Sequence, residues 1–187
     1  TDLTFCNKYE SISKFYPEGT IISGGLSKWC GAGGWRIGFF AAPDKLSNFL
    51  TSIKTLASES YSTVNSPTQY AAVEAYEGDH AEYRSKTINI LRSVGNYVYN
   101  RLRSNKVLIN SPQGAFYLMP EFLNDKYESS EELCEAILEE TGVAMLPGSD
   151  FGFKPKKMLT RLSYIDFDGS EFLKAPINDK TLNDNII

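Results

Sequence analysis

The chain has 187 residues and a formal net charge of −4, with no basic stripe and no apolar run of about 20 residues. We therefore expect no nucleic-acid and no membrane partner. Three irregularly spaced cysteines and a single histidine do not support a disulfide framework, a metal site or a histidine-based catalytic triad. The first residues lack the basic and apolar regions of a signal peptide, so we expect a cytoplasmic protein.

Short apolar runs and amphipathic helices alternate in the first part of the chain. We predict buried strands at residues 19–22 and 35–42, a helix capped by Asp44, and a second helix with Pro67 in its first turn. His80 follows a Gly-Asp pair and is expected at an exposed helix junction. A long helix should then run to about Arg103.

Strands and helices are mixed in the remainder of the chain. We predict strands at residues 106–109, 115–119, 143–146 and 159–165, and a brief helix from Ser170. Ser129 or Ser130 should begin a further helix that ends at Gly142. The Asn- and Asp-rich tail, residues 178–187, is expected to fray.

A lysine in a run of small residues is the most informative feature of the sequence. Lys28 follows the first predicted strand within Ser23-Gly24-Gly25-Leu26-Ser27-Lys28, and Gly-Trp-Arg-Ile-Gly begins at Gly34. A primary amine that attacks a carbonyl must lose its proton, and partial burial beside the cationic Arg36 would favour the neutral form. Arg36 also presents a planar fork of donors that suits a phosphate. This stretch therefore predicts a site for a phosphorylated aldehyde.

The motif resembles the Schiff-base lysine segment of the class I/II aminotransferases, enzymes of fold type I that use pyridoxal 5′-phosphate. The resemblance implies that Lys28 is the catalytic lysine bonded to the cofactor and that Arg36 holds the cofactor phosphate. The family often has a serine or threonine three residues before the lysine, where this chain has Gly25. Ser27, with Ser23 behind it, is the nearest substitute for this phosphate ligand.

Three later stretches resemble the same family in the same order. They are Gly-Ala-Phe-Tyr from Gly114, Pro-Gly-Ser-Asp-Phe-Gly from Pro147, and Arg-Leu-Ser from Arg161. The resemblance implies that Arg161 pairs with the substrate carboxylate, for which a planar guanidinium is well shaped. Alone, Arg161 could equally pair with an acidic neighbour in a strand.

Other residues around these motifs have a structural interpretation. We expect Trp29, Trp35 and Phe116 to be core residues rather than cofactor walls, and Cys30 to be a small buried filler. The carboxylates show no spacing that requires acid/base chemistry, and we interpret them as solvated or capping groups: Glu121, Asp125, Asp166 and Asp168.

The resemblance implies an α/β chain with two domains. Residues 1–80 would be the C-terminal part of the large cofactor-binding domain, with an incomplete sheet, and residues 81–187 an α+β small domain. Three groups of the family cannot be placed in this sequence: the aromatic that stacks on the cofactor ring, the Asp that pairs with the pyridinium nitrogen, and the Tyr near the ring oxygen. Asp2 should not be given the role of that Asp. We expect a fragment that is inactive alone, with exposed sheet edges, from an enzyme that is a homodimer when complete.

The implied activity is transfer of an amino group from an amino acid to a 2-oxo acid, with Lys28 as the base. Two alternatives remain open at this stage. A lyase or an α-oxoamine synthase of the same fold would use the same Lys28 and Arg36. A non-enzymatic interaction domain would require neither residue.

Overall fold

The computed structural model describes residues 3–6, 9–174 and 178, and these divide into two compact units. The first unit comprises residues 9–84, and the second comprises residues 3–6 and 85–174. The helices and strands, in chain order, are β1 (Ile22–Gly25), β2 (Gly38–Ala41), α1 (Ser47–Ser60), α2 (Ser66–Glu77), α3 (Ala81–Leu102), β3 (Val107–Leu108), β4 (Tyr117–Leu118), β5 (Glu121–Phe122), α4 (Ser130–Thr141), β6 (Leu146–Pro147), β7 (Thr160–Ser163) and α5 (Gly169–Lys174).

The first unit is built on an antiparallel hairpin of β1 and β2. Ile22 lies opposite Ala41 and Gly25 lies opposite Gly38. A Cβ at Gly38 would lie 2.8 Å from the Gly24 carbonyl oxygen, so only glycine allows the two strands to approach this closely. The turn that contains Lys28 lies in the loop between these two strands.

The two strands of this hairpin differ from the sequence prediction in position and in burial. A single turn of 3₁₀ helix at Pro17–Gly19 precedes β1, which lies C-terminal to its predicted range. A second 3₁₀ turn at Gly33–Trp35 shortens β2 at its N-terminal end. All four residues of β2 are exposed, although the apolar run predicted a buried strand. Within the described residues β1 and β2 pair only with each other, which agrees with the expected open sheet edge.

Helix boundaries in the first unit follow local capping chemistry with one exception. Pro67 lies in the first turn of α2 as predicted, and the Asn65 side chain accepts a hydrogen bond from the Thr68 amide at 3.0 Å. Asp44 does not cap a helix, because Asp44–Leu46 forms a 3₁₀ turn before α1. His80 does lie at a helix junction, but it is half-buried, with its ring centroid 6.2 Å from that of Trp29.

The second unit contains two small antiparallel sheets and the helices α4 and α5, together with most of α3. The three-stranded sheet has the order β4-β7-β6, and β3 pairs with β5, a strand that the sequence did not predict. Ser129 accepts a hydrogen bond from the Glu132 amide at 3.3 Å, and Gly142 ends α4 with a φ of 75°. Both ends of α4 were therefore predicted correctly.

The second unit also includes the start of the chain. The Ala115 amide donates to the Leu3 carbonyl at 2.7 Å, and the Phe5 amide donates to the Gln113 carbonyl at 2.9 Å. Leu3 is only 5 % exposed, so this segment contributes to the core of the second unit. The expected domain division at residues 80 and 81 had instead put residues 3–6 in the first domain.

A buried tyrosine connects α3 to the three-stranded sheet. The Tyr164 hydroxyl donates to the Ala115 carbonyl at 3.0 Å, and burial raises the pKa of Tyr164 to about 12. A Cβ at Gly95 of α3 would lie 2.7 Å from that hydroxyl oxygen, so the helix packs directly against it. The Tyr164 phenol is therefore held neutral inside the second unit.

Membrane-spanning helices and metal clusters are both absent from the described part of the chain. Residues 3–6, 9–174 and 178 contain no helix that is long and apolar enough to cross a membrane. The same residues contain no group of His, Cys, Asp and Glu side chains that could hold a metal ion. Apart from Asn178, the predicted tail lies outside the described residues.

Candidate functional site

The turn around Lys28 is closed by backbone hydrogen bonds. The Ala32 amide donates to the Leu26 carbonyl at 3.2 Å, and the Gly31 amide donates to the Lys28 carbonyl at 3.4 Å. Leu26 and Trp29 point into the core and are 2 % and 8 % exposed. The two buried side chains anchor the turn on both sides of Lys28, which leaves the lysine at its surface.

Lys28 follows the end of β1 as predicted, but it is exposed rather than partly buried. The reason lies in the hairpin, whose strands pair only with each other among the described residues and whose second strand is exposed along its whole length. No described strand lies beyond β2 to cover the turn.

Arg36 is held in an uncommon backbone conformation at the end of the same turn. Its φ of 52° and ψ of 47° are left-handed, a region that costs a non-glycine residue about 1 kcal/mol or more. The Arg36 Nη1 donates to the Gly33 carbonyl at 2.9 Å, so the guanidinium folds back over its own turn. Strain of this kind is concentrated at ligand sites in proteins.

The two serines differ in position. Ser27 precedes Lys28 and is half-buried, and a Cβ at Gly33 would lie 3.7 Å from the Ser27 carbonyl oxygen. Ser23 lies within β1 opposite Phe40 and is exposed. The structure therefore places Ser27, Lys28 and Arg36 in one turn and Ser23 in the strand before it.

The aromatic and cysteine residues of the motif are only partly as expected. Trp29 is buried, whereas Trp35 is 52 % exposed and Cys30 is half-buried. Trp35 lies in the 3₁₀ turn Gly33–Trp35, where a strand was predicted.

Arg161 lies in the second unit, on the central strand of the three-stranded sheet. It is half-buried, and its backbone is paired with Leu146 of β6. Its guanidinium carbon lies 4.5 Å from the ring centroid of Tyr117 and 4.5 Å from that of Phe151. Among the described residues no carboxylate lies within ion-pair distance of this guanidinium, so the acidic neighbour considered from the sequence is not there.

Tyr117 is the residue that the sequence analysis missed. Phe116 was named there and is buried in the core as expected, at 8 % exposure. Phe116 lies just before β4, and its ring centroid is 4.6 Å from that of Tyr117, so the two rings pack together. The pairing of Tyr117 with Ser163, two residues from Arg161, puts the Tyr117 side chain on the face of the sheet that carries the arginine. This pairing joins distant parts of the chain, and the motif around Phe116 does not contain it.

The loop that carries Phe151 is fastened at several points. The Gly148 amide donates to the Leu159 carbonyl at 2.7 Å, and a Cβ at Gly148 would lie 2.8 Å from that oxygen. The Ser149 hydroxyl donates to the Glu131 carboxylate, and this bond is the main reason that the pKa of Glu131 lies below its ordinary value. The 3₁₀ turn Gly148–Phe151 is thus hydrogen-bonded to Leu159, the residue before β7, and to Glu131 in the first turn of α4.

The remaining carboxylates behave as ordinary surface groups where the structure gives their partners. Asp168 accepts a hydrogen bond from the Ser170 amide at 2.9 Å at the start of α5. Hydrogen bonding from the Ser170 side chain, and then from this amide, lowers the pKa of Asp168. Glu121 pairs with Lys157 at 3.2 Å. Asp125 and Asp166 are exposed.

The first unit also has an open cavity of about 530 Å³, separate in its lining from the lysine turn. It is lined by residues of β2, α2 and the loop before α2, including Phe39, Tyr61 and Tyr76. Neither Lys28 nor Arg36 contributes to its lining.

Comparison with known proteins identifies the family of the chain and agrees with its mixed α/β architecture. The family model "Aminotransferase class I and II" matches residues 5–168, and the chain belongs to this family. Its fold is part of the fold type I architecture found in the solved aminotransferases.

Individual relatives are aminotransferases of several specificities. The chain is 36 % identical to an aspartate aminotransferase of Bacillus sp. (strain YM-2), over 75 % of this chain and 36 % of that protein. It is 32 % identical to a probable N-acetyl-LL-diaminopimelate aminotransferase of Bacillus subtilis, over 81 % of this chain and 37 % of that protein. The chain thus spans little more than a third of the length of these curated relatives.

The solved structures give the same proportion. An aspartate aminotransferase from Thermotoga maritima superimposes with a TM-score of 0.69 at 30 % identity, covering 87 % of this chain and 40 % of that one. An alanine aminotransferase from Pyrococcus furiosus gives a TM-score of 0.74 at 28 % identity, covering 87 % of this chain and 42 % of that one.

Proposed function

We propose that this chain carries the C-terminal portion of a pyridoxal-phosphate-dependent aminotransferase that transfers an amino group from an amino acid to a 2-oxo acid. Family membership supports the reaction class, and the short share of each relative supports the assignment to a portion. On this proposal residues 1–80 belong to the large cofactor-binding domain and residues 81–187 to the small domain. The compact units divide instead after Arg84, and residues 3–6 join the second unit. The complete enzyme would be a cytoplasmic homodimer.

The donor set of the lysine turn fits a phosphorylated aldehyde. Lys28 supplies a primary amine and Ser27 a hydroxyl. Arg36 supplies a guanidinium, one N–H of which donates to the Gly33 carbonyl. A guanidinium has five N–H donors, so the others are available to a phosphate. Ser23 is a weaker candidate for the phosphate because it lies inside β1.

Each of these residues has a distinct role in the proposal. Arg36 and Ser27 would hold the phosphate, and the Lys28 amine would hold the aldehyde end of the cofactor. Pyridoxal phosphate, when bound, supplies the electron sink for the substrate α-carbon. The Lys28 amine would also serve as the base for the proton on that α-carbon.

Arg161 is the proposed group for the substrate carboxylate. Its guanidinium is half-buried and has no carboxylate partner among the described residues. An uncompensated cation in such a position favours an anionic ligand, and a carboxylate can accept two parallel hydrogen bonds from it.

The observation that carries the proposal is that Ser27, Lys28 and the strained Arg36 all lie in the loop between β1 and β2. The test is trapping of the folded chain with pyridoxal phosphate and borohydride, followed by peptide mass mapping. We expect the reduced adduct to concentrate on Lys28 over Lys45, an exposed lysine of the same unit. Arg36→Gln, or pyridoxal without its phosphate, should abolish that preference.

Equal labelling of Lys28 and Lys45, indifferent to the phosphate, would refute the cofactor site. A lyase or an α-oxoamine synthase would give the same adduct, and a transamination assay on the complete enzyme separates these activities. The chain alone should not transaminate, since none of its residues is assigned to the pyridinium nitrogen. Turnover by this chain that is lost in Lys28→Ala would overturn that last statement.

A further inference from the structure

Arg161 is flanked by two aromatic rings that reach it from opposite sides of its strand. Tyr117 comes from β4 on one side of β7, and Phe151 comes from the loop after β6 on the other side. Both ring centroids lie 4.5 Å from the guanidinium carbon. The arginine therefore has aromatic contacts on two sides and no carboxylate partner among the described residues.

Aromatic contacts hold a guanidinium without neutralising it. A carboxylate partner would orient the arginine but would also occupy the N–H groups that a ligand needs. A ring attracts the cation through its quadrupole and displaces water, and it leaves the N–H groups unused. An arginine side chain otherwise loses rotamer entropy when a ligand fixes it.

The two rings are themselves held in place. Tyr117 lies on a strand whose register with β7 is fixed by its pairing with Ser163. Phe151 ends a turn that is tied to Glu131 through Ser149 and to Leu159 through Gly148. The positions of the rings are thus set by the fold before any ligand arrives.

We propose that Tyr117 and Phe151 are positioning residues that hold the Arg161 guanidinium ready for a planar carboxylate. This inference rests on the proposed role of Arg161 in substrate binding and adds the residues that prepare it. Neither ring needs to touch the substrate. They restrict the motion of the Arg161 side chain in the free protein, so that the side chain loses less conformational entropy when a ligand binds.

The test measures binding of pyruvate to the chain by NMR, at constant ionic strength, through the Arg161 Nε–Hε resonance. Arg161→Lys assigns the resonance, and methyl pyruvate serves as the uncharged probe. We expect Phe151→Leu and Tyr117→Leu each to raise the dissociation constant for pyruvate about two- to fivefold. Each should also lower the order parameter of the Arg161 side chain.

The chain offers a matched control at Phe153. Phe153 is 41 % exposed and Phe151 39 %, but the Phe153 ring contacts Lys157 rather than Arg161. Phe153→Leu should leave both pyruvate affinity and Arg161 mobility unchanged. Phe151→Tyr and Tyr117→Phe keep the rings and should restore wild-type values.

The outcomes separate the two proposals. If pyruvate shifts the Arg161 resonance but Phe151→Leu and Tyr117→Leu retain wild-type affinity and order, the positioning role is wrong and the carboxylate site stands. An equal loss in Phe153→Leu would also refute the positioning role. If pyruvate and methyl pyruvate act alike on the wild-type chain, Arg161 is not a carboxylate site and both proposals fail.

Discussion

The buried phenol of Tyr164 should make the second unit lose stability in alkaline solution. Burial raises the pKa of Tyr164 to about 12 from its ordinary 10, so the unfolded chain releases this proton first. Between these pH values the unfolded state binds fewer protons, and stability must fall as the pH rises. For one group with these two pKa values, proton linkage predicts that the free energy of unfolding falls by about 1.3 kcal/mol between pH 9 and pH 11.

The variant Tyr164→Phe isolates this contribution. Loss of the hydrogen bond to the Ala115 carbonyl should cost about 1 kcal/mol at every pH, since that bond is buried. Phenylalanine cannot ionise, so the variant should not lose stability in alkaline solution through this position. The wild-type protein loses about as much by pH 11 as the variant loses with its hydrogen bond, so the two should then be nearly equal in stability. Other groups titrate in the same range, and the difference between the two proteins removes their effect.

The assay is urea unfolding at pH 9, 10 and 11, followed by helical circular dichroism at 222 nm. Tryptophan fluorescence is unsuitable because Trp29 and Trp35 both belong to the first unit. Parallel declines of the wild-type protein and Tyr164→Phe would show that the phenol is not held neutral by the fold.

Three further predictions concern the second unit. Gly142→Ala should destabilise it by about 1–2 kcal/mol in urea unfolding, because a φ of 75° disfavours a Cβ although nothing lies within 4 Å; unchanged stability would contradict this. Ser129→Ala should cost about 1 kcal/mol by removing the cap on the Glu132 amide, and Ser129→Asp should retain most of it in the same assay. Burial raises the pKa of the Cys134 thiol, so iodoacetamide at pH 8 should label the exposed Cys6 well before Cys134, and equal rates in the folded protein would refute the assignment.

Local chemistry explains what the sequence predicted well. Ser129 and Gly142 delimit α4 because a side-chain oxygen and a left-handed residue act within one turn of the chain. The turn around Lys28 follows a strand end for the same kind of reason, since its glycines allow tight backbone geometry. Such features do not depend on distant packing.

Burial depends on neighbours that a local pattern does not contain. Phe39 and Phe40 read as a buried strand, yet they are 42 % and 64 % exposed on β2. An apolar run shows that a strand can be covered on both faces, and whether it is covered depends on other elements. Lys28 is exposed for the same reason, which the motif alone could not reveal.

The arginine site falls between these cases. The motif around Arg161 predicted the residue, and the antiparallel register decided which aromatic side chain accompanies it. The Tyr117 ring contacts the arginine, and that contact requires knowledge of which strand pairs with β7. Phe151 comes from a loop whose course depends on Gly148 and Ser149.

The backbone pairing of Leu3 with Ala115 makes the second unit discontinuous in sequence, with residues 9–84 inserted between its two parts. Closing a loop of this length costs an unstructured chain roughly 4 kcal/mol of entropy. A folded first unit holds most of that loop in a compact form and lowers this cost. During synthesis Ala115 follows its partner Leu3 only after the whole first unit has left the ribosome, so the second unit should complete its core after the first.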